Sequence, residues 1–270
     1  QALVRLLPPS KYELGPVLSR SFTSARRATR QMRLGEPAAD YEDFASCGLI
    51  LIAVPDDAIA AVARRLATAS FPFRRKVALH TSGALSSEEL AAVRARGASV
   101  GSLHPLQTFG RRVWSLAGVH FAVEGDTKAV RLAQSLVTDW HGKLLRIRRD
   151  QKPLYHAAAT FASPLFTPLM EAAVRLMTRA GIRPRTAIKA LTPLLSTTLD
   201  NYAHTGRQSW TGPLARGDAA TIRRHLVALA AYDAALARYY RSSALGALAL
   251  FNRHPALRKI LAENDSDAVS

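Results

Sequence analysis

The sequence predicts an α/β domain with a mostly parallel sheet, followed by an all-α domain. From residue 15 to about residue 148, short apolar runs alternate with amphipathic segments, as strands and helices do in a parallel sheet. Beyond Asp150 only helical periodicity remains. A composition of 48% hydrophobic and 21% charged residues is that of a folded chain. We therefore predict domains at residues 1–149 and 150–270.

The predicted elements of the first domain are short. Residues 2–7 read as the end of a helix that leads into the first strand. Strands are predicted at residues 15–20, 49–54, 77–80, 99–103, 120–123 and 143–147, and helices at 22–32, 55–69, 86–96 and 127–140. Residues 49–54 are all apolar, which is typical of a strand buried on both faces. Asp56 and Asp57 suit the first turn of a helix, and Ser86 and Glu89 have the spacing of a capping box.

The second domain is predicted to contain only helices. They cover residues 153–179, 185–202, 218–240 and 244–250, before a frayed tail at 263–270. Pro164 should kink the first of these helices, because it removes the backbone N–H that would bond to Thr160. Asp218 can cap the third helix, and His225 falls on its apolar face, where a core histidine is the expected role.

Charge raises the possibility of a nucleic-acid partner. The chain has 37 Lys and Arg against 20 Asp and Glu, a net charge of +17. The Arg residues form scattered pairs, such as Arg26 and Arg27, and no basic run is interleaved with aromatic residues. The pattern favours Arg residues that are dispersed over the surface, and nucleic-acid binding is the less favoured alternative.

Simpler observations exclude a disulfide framework, a metal site and a membrane span. Cys47 is the single cysteine, which excludes a disulfide framework and a cysteine-based metal site. No spacing typical of metal ligands occurs, and no uncharged apolar stretch reaches the roughly 18 residues of a membrane span. We predict a cytoplasmic protein without a metal.

Polar residues follow the predicted strands, where a parallel sheet binds its ligands. The first strand ends at Arg20, flanked by hydroxyl groups, and an Arg fork with small hydroxyl donors suits the 2′-phosphate of NADP. A surface Arg at a strand end is the alternative. The predicted cofactor-binding residues are Ser19, Arg20, Ser21, Ser24, Val54, Pro55, Asp56, Thr81, Ser82 and Gly83. NADP is preferred over NAD.

A line of polar residues follows one face of the helix predicted at 153–179. Lys152, His156, Thr160, Ser163, Thr167 and Glu171 recur at steps of three or four. This face lines a wet cleft or faces solvent. If the face lines a cleft, Lys152 is the candidate electrophilic partner for a carbonyl or carboxylate, and His156 is the candidate proton carrier. His104, after the fourth strand, completes the predicted catalytic set. Thr160, Ser163, Thr211, Arg216 and Asp218 are the predicted substrate-binding residues.

Seven segments together resemble one protein family. They are GPVLSRS (15–21), IAVPDDAI (52–59), HTSGAL (80–85), GSLHPLQTF (101–109), FAVEGD (121–126), YHAAATFAS (155–163) and TGPLARGDAATIRRHL (211–226). They resemble bacterial proteins that pair a Rossmann-like domain with the domain of unknown function DUF2520. That family is similar in design to pyrroline-carboxylate reductases, deazaflavin-dependent NADP reductases and 3-hydroxyacid dehydrogenases.

The resemblance implies NADP binding at the first domain and a helical second domain that forms a homodimer. We therefore expect an NAD(P)-dependent oxidoreductase that transfers hydride to or from a small molecule in the cleft between the domains. A non-catalytic nucleotide-binding or scaffold protein of the same fold is the alternative.

Two features depart from the family. The sequence contains no G-x-G-x-x-G, and we expect the first strand and its glycine-rich loop to lie upstream of Gln1. The strands at 15–20 and 49–54 should then be separated by a gap. Pro164 stands where the resemblance leads us to expect Asn.

Overall fold

The computed structural model describes residues 1–110 and 113–262. The chain divides into two compact units, Gln1–Phe166 and Thr167–Ser270. The boundary predicted at residues 149 and 150 marks the end of the strands, since no strand follows Arg146 in the part of the chain described. The first helix after that point stays with the first unit.

The strands of the first unit form two sheets. They are β1 (Pro16–Val17), β2 (Glu36–Pro37), β3 (Leu49–Ile52), β4 (Val77–His80), β5 (Ser99–Pro105), β6 (His120–Gly125) and β7 (Lys143–Arg146). The larger sheet has the order β3-β4-β5-β6-β7, and only its β5–β6 pair is antiparallel. The mostly parallel sheet predicted from the sequence is confirmed. All six predicted strands occur, and β2 is an addition.

β1 and β3 belong to different sheets. β1 pairs in parallel with β2, with Pro16 opposite Glu36, whereas β3 pairs with β4. The two predicted strands are therefore not paired with each other, and the strand expected between them stays a prediction. Residues before β1 include the helix α1 (Ala2–Arg5), whose Leu3 carbonyl accepts a hydrogen bond from the Trp140 indole at 3.1 Å.

Helices follow β1 and four strands of the larger sheet. They are α2 (Phe22–Met32), α3 (Asp56–Leu66), α4 (Ala91–Ala95), α5 (Thr127–Asp139) and α6 (Lys152–Ala162), with 3₁₀ turns at Glu42–Phe44, Ser87–Leu90 and Arg149–Gln151. The helix predicted at 86–96 begins as a 3₁₀ turn. Its first turn is held from outside, because the Ser87 amide donates to the Glu124 carboxylate at 2.7 Å.

Two apolar cores lie on opposite faces of this sheet. Ile50 and Ile52 belong to one core, while Leu49 and Leu51 pack against the other. Alternate side chains of a strand point to opposite faces, so β3 contributes to both cores. This explains why residues 49–54 carry no polar alternation.

The second unit is helical in every residue range assigned to an element. Its helices are α7 (Phe166–Arg179, beginning at the last residue of the first unit), α8 (Pro184–Thr205), α9 (Gly212–Arg216), α10 (Ala219–Tyr232), α11 (Ala234–Phe251) and α12 (Pro255–Ala262). A core of Ile222, Leu226, Leu248, Leu257 and Leu261 holds α10, α11 and α12 together. The tail predicted at 263–270 lies outside the described residues. None of the helices described is long and apolar enough to cross a bilayer.

The helix predicted at 153–179 is two helices. α6 ends at Ala162 and α7 begins at Phe166, with Pro164 in the turn between them. Pro164 has no amide hydrogen to donate. The Leu165 amide donates to the carbonyl of Thr160, five residues back, at 3.0 Å, whereas a continuous α-helix would use the carbonyl four residues back. The predicted kink is therefore a break.

The helix predicted at 218–240 is also two helices. Asp233 adopts an extended conformation between α10 and α11, and its carboxylate accepts from the amides of Ala235 and Leu236. A capped N-terminus starts α11, which also includes the segment predicted separately at 244–250. His225 is exposed rather than in the core, and its Nδ1 lies 3.1 Å from the Tyr240 hydroxyl.

Candidate functional site

The register of the larger sheet brings polar residues from three strands to one edge. Ile52, His80 and Ser102 are direct neighbours across β3, β4 and β5. β3 and β4 end at this level, and β5 continues three residues further, to Pro105. The predicted residues Asp56 and Ser82 follow β3 and β4, and His104 is the last residue but one of β5, at the edge where such a sheet binds its ligands.

Ser82 organises the turn after β4. Its hydroxyl donates to Asp56 Oδ2 at 2.8 Å and accepts from the amides of Ala84 and Leu85 at 3.2 and 3.0 Å. The Ser82 amide donates to His80 Nδ1 at 3.2 Å, which leaves Nε2–H of His80 to donate to the Ser86 carbonyl at 3.0 Å. Burial, with the charge of Lys152 as a second cause, lowers the pKa of His80 to about 4. His80 is thus a neutral support for the turn.

Lys152 joins the start of α6 to this turn. Its side chain is 1% exposed, and Nζ donates to the Ser82 carbonyl at 2.6 Å and to the Ser102 hydroxyl. Burial lowers its pKa to about 8, against the stabilising charges of Glu124 and Asp56. A lysine of this kind exchanges its proton near neutral pH.

Glu124 is the buried carboxylate behind Lys152. Its two oxygens accept from the amide and the hydroxyl of Ser87 at 2.7 and 2.8 Å. Arg149 Nε lies 3.5 Å from Glu124 Oε2 and also pairs with Glu88. The carboxylate is therefore fully bonded, and it balances the buried lysine electrostatically.

Two histidines meet at Gly83, and Tyr155 contacts one of them. His104 Nδ1 lies 2.8 Å from the Tyr155 hydroxyl, and the two rings are edge to face at 5.6 Å. The His156 ring is edge to face with His104 at 6.0 Å. A Cβ on Gly83 would lie 2.5 Å from His156 Cδ2 and 2.8 Å from His104 Nε2, so the two rings need a glycine here. Tyr155 and His156 are both on α6, which the sequence predicted as the catalytic helix.

A cavity of about 450 Å³ opens beside His104 within the first unit. The strand ends contribute Ala53, Thr81, His104 and Pro105 to its wall. The other lining residues are Gln1, Ala2, Leu3, Arg5, Gln107, Phe109, Gly110 and Val113. A small organic group fits this volume, with His104 and Thr81 as the polar side chains at the strand ends.

A second group of predicted residues lies at the start of α2. Ser21 caps this helix by accepting from the Ser24 amide at 3.2 Å, and its hydroxyl donates to that of Ser24 at 3.0 Å. Ser19 and Arg20 are exposed on the same connection. No partner of Arg20 is found in the ranges that the structure describes. The hydroxyls of Ser21 and Ser24, the N-terminus of the 11-residue helix α2 and the Arg20 guanidinium together suit a bound phosphate group.

The remaining predicted residues have local partners. Val54 packs partly against a core and Pro55 precedes α3. The Thr160 hydroxyl donates to the His156 carbonyl at 2.9 Å, and the Ser163 hydroxyl lies 3.1 Å from that of Thr108. The predicted residues of the second unit are Thr211 and Arg216, at either end of α9, and Asp218, which caps α10 by accepting from Thr221 at 3.0 Å.

Four site residues were missed from the sequence: His80, Ser102, Glu124 and Tyr155. A carboxylate directly after the apolar residues 121–123 was the signal for Glu124, because a buried charge needs a partner. Ser102 and His80 likewise interrupt apolar strands. Tyr155 is adjacent to the predicted His156 and carried no signal of its own. Among the described residues, no group of three or more His, Cys, Asp or Glu could hold a metal ion.

Comparisons with known proteins agree with this fold. Residues 2–105 match the model of a Rossmann-like domain, and residues 119–246 match that of the domain of unknown function DUF2520. The chain combines a Rossmann-like domain with a DUF2520 domain. Among curated proteins, none matches this Rossmann–DUF2520 chain.

Solved structures share the fold of the Rossmann–DUF2520 chain. A Bacteroides fragilis protein assigned as an NADP oxidoreductase is 20% identical with a TM-score of 0.74, covering 93% of both chains. A 1-pyrroline-5-carboxylate reductase from Streptococcus pyogenes is 15% identical with a TM-score of 0.62, covering 96% of this chain and 93% of its own. An imine reductase from Myxococcus stipitatus in complex with NADP⁺ is 15% identical with a TM-score of 0.66, covering 93% and 89%.

Proposed function

We propose that the chain is an NADP-dependent oxidoreductase that acts on a C=O or C=N bond of a small molecule. The observation that carries this proposal is the cluster of His104, Tyr155 and Lys152 at the carboxyl ends of β4 and β5, with His104 in the wall of a cavity. Rossmann-like sheets bind their ligands at this edge. The NADP oxidoreductase and the imine reductase named above support the proposal through their shared fold.

The residues present suit the two ends of the dinucleotide. Arg20, Ser21 and Ser24 would hold the 2′-phosphate, with Ser19 beside them. The loops that contain Val54, Pro55, Asp56, Thr81, Ser82 and Gly83 would hold the nicotinamide end. The 270 residues contain no G-x-G-x-x-G, so we assign no residue to the pyrophosphate. When bound, NADPH would supply a hydride to the substrate carbon.

The protein's own residues would orient the substrate and manage its proton. A hydrogen bond from His104 to the carbonyl oxygen or imine nitrogen would polarise the double bond. Reduction also requires one proton at that heteroatom, and Lys152 and His156 are the candidate sources. Lys152 is bonded inside the turn to Ser82 and Ser102, whereas His156 lies beside His104, so His156 is the better placed of the two.

The test is titration of the whole chain with NADPH and NADH, followed by nucleotide fluorescence. NADPH should bind more tightly than NADH. Arg20→Ala should weaken the binding of NADPH by about tenfold or more and leave the binding of NADH unchanged, because only NADPH has the 2′-phosphate. Arg30→Ala is the matched control, since Arg30 is an exposed residue at the other end of α2. Equal affinity for both nucleotides would contradict the assignment of Arg20.

Turnover separates an enzyme from a nucleotide-binding protein. NADPH consumption should be measured with panels of imines, ketones and keto acids, and NADP⁺ reduction with hydroxy acids. Retained NADPH binding without turnover on any panel would favour a non-catalytic nucleotide-binding protein of the same fold.

A further inference from the structure

We propose that Tyr155 fixes the tautomer of a neutral His104, with the proton on Nε2, so that His104 is an uncharged hydrogen-bond donor. Tyr155 is then a positioning residue, and the ligand must present an acceptor atom rather than an anion that needs a cation. The role of this donor toward substrate rests on the proposed function. The state of the ring is a property of the chain alone.

The partners available to the Tyr155 hydroxyl favour one direction for the Tyr155–His104 hydrogen bond. The Tyr155 hydroxyl lies 2.8 Å from His104 Nδ1, and Nδ1 is its one acceptor among the residues described. If Tyr155 donates, its hydrogen and the Nδ1 lone pair are both used. If His104 donated instead, the hydroxyl hydrogen of a half-buried tyrosine would have no protein acceptor, which costs free energy. The first arrangement is therefore preferred, and it leaves the proton on Nε2.

The charges around the ring favour its neutral form. Burial is the largest cause, Lys152 and His156 add repulsion, and the charge of Asp56, the smallest of the four effects, opposes them. Together they lower the pKa of His104 to about 4. Burial also raises the pKa of Tyr155 to about 12, so its hydroxyl keeps the hydrogen that it donates.

Gly83 lies against the Nε2 edge of the His104 ring, where a side chain would collide with the ring. A Cβ at this position would lie 2.8 Å from Nε2 and 2.9 Å from Cε1 of His104, so no side chain covers that edge of the ring from Gly83. His104 also lines the cavity beside the strand ends. The N–H that Tyr155 leaves free is thus on the edge of the ring opposite the Tyr155 contact.

The consequence concerns the ligand. A neutral N–H donates to a carbonyl oxygen or an imine nitrogen and retains its own proton, because loss of that proton would leave an unfavourable imidazolate. His104 then polarises the acceptor while the proton needed for reduction comes from another group. A substrate whose reacting group is neutral fits this donor better than one held by an ion pair.

The experiment is nitrogen NMR of the whole chain with ¹⁵N-labelled histidine and no nucleotide, using His104→Gln to assign the signals. His104 should show an unprotonated Nδ1 and a protonated Nε2 from pH 6 to pH 8. Tyr155→Phe removes the donor and should mix the two tautomers. Tyr240→Phe is the matched control, because Tyr240 forms the corresponding 3.1 Å contact with His225 in the second unit. It should leave the His104 signals unchanged.

Two results would overturn the proposal. One is a wild-type His104 that carries a proton on Nδ1 or is charged at pH 7, which needs no variant to observe. The other is a folded Tyr155→Phe variant, checked by circular dichroism, with the wild-type tautomer. If NADPH does not bind but the NMR result is as expected, the proposed function is wrong and the assigned His104 tautomer still holds.

Discussion

Gly83 shows how much of the site rests on the absence of a side chain. The rings of His104 and His156 both approach it, from β5 and from α6. Its backbone φ is not in the left-handed region, so packing rather than conformation is the reason for glycine. Contact between Gly83 and a nucleotide, which the sequence predicted, stays a prediction.

Replacing Gly83 with Ala should displace both histidine rings. The new Cβ would lie 2.5 Å from His156 and 2.8 Å from His104, closer than van der Waals contact allows. We expect a loss of about 1–3 kcal/mol in the free energy of unfolding, measured with urea. Gly48→Ala is the control, since its Cβ would meet nothing within 4 Å. Equal stability of the two variants would show that the rings move aside at no cost.

At the scale of elements, one buried lysine attaches α6 to the sheet. Lys152 is the first residue of that helix, and its bonds to Ser82 and Ser102 connect it to the turn after β4 and to β5. The same helix then presents Tyr155 and His156 one turn later, next to His104. The attachment thus sets where the helix places its other polar residues.

The attachment by Lys152 should depend on pH. Its pKa is lowered from 10.5 to about 8, so between these values the unfolded chain holds a proton that the folded chain has lost. Stability attributable to Lys152 is therefore lowest below pH 8 and rises toward pH 10.5. The free energy of unfolding of the wild type relative to Lys152→Met should increase by roughly 3 kcal/mol over this interval.

Urea denaturation at the two ends of the interval checks this. Lys189→Met, at an exposed position on α8, is the control and should differ from the wild type by the same small amount at both pH values. A constant difference for Lys152→Met would mean that the folded chain keeps the lysine charged throughout.

At the scale of the whole molecule, the helix α8 leaves several apolar side chains exposed. α8 has 22 residues, and only Ala187 among them is buried. Ile188, Leu194, Leu199 and Tyr202 are between 49% and 68% exposed. We propose a second copy of the chain as the partner, because the family resemblance implies a dimer-forming helical domain and this helix carries the uncovered surface.

Light scattering coupled to size-exclusion chromatography tests the dimer. The mass should be about twice 29.3 kDa, and Leu199→Asp should shift it toward the monomer, since a buried unpaired charge opposes association. Phe22→Asp is the control, because Phe22 is 52% exposed in the first unit. A wild-type mass of 29.3 kDa at micromolar concentration would contradict the proposal.

Much of the fold could be predicted from local patterns. The apolar run at 49–54 and the helix at 22–32 were found because their periodicity is local, and α2 has the predicted bounds. Breaks were harder to predict. Pro164 was expected to bend a helix and instead ends it, and Asp233 lay inside an uninterrupted periodic pattern although its carboxylate caps α11.

The sequence by itself determined the order of strands and helices, the change to helices alone after residue 146, and the loops in which polar residues gather. These follow from hydrophobic periodicity and capping, which act between near neighbours. Tertiary structure decided which residues meet. Tyr155 reaches His104 across 51 positions and Lys152 reaches Ser82 across 70, through the register of β4 and β5 and the placement of α6. Those contacts depend on packing between distant segments, and they set the charge and tautomer of the residues that the sequence could only name.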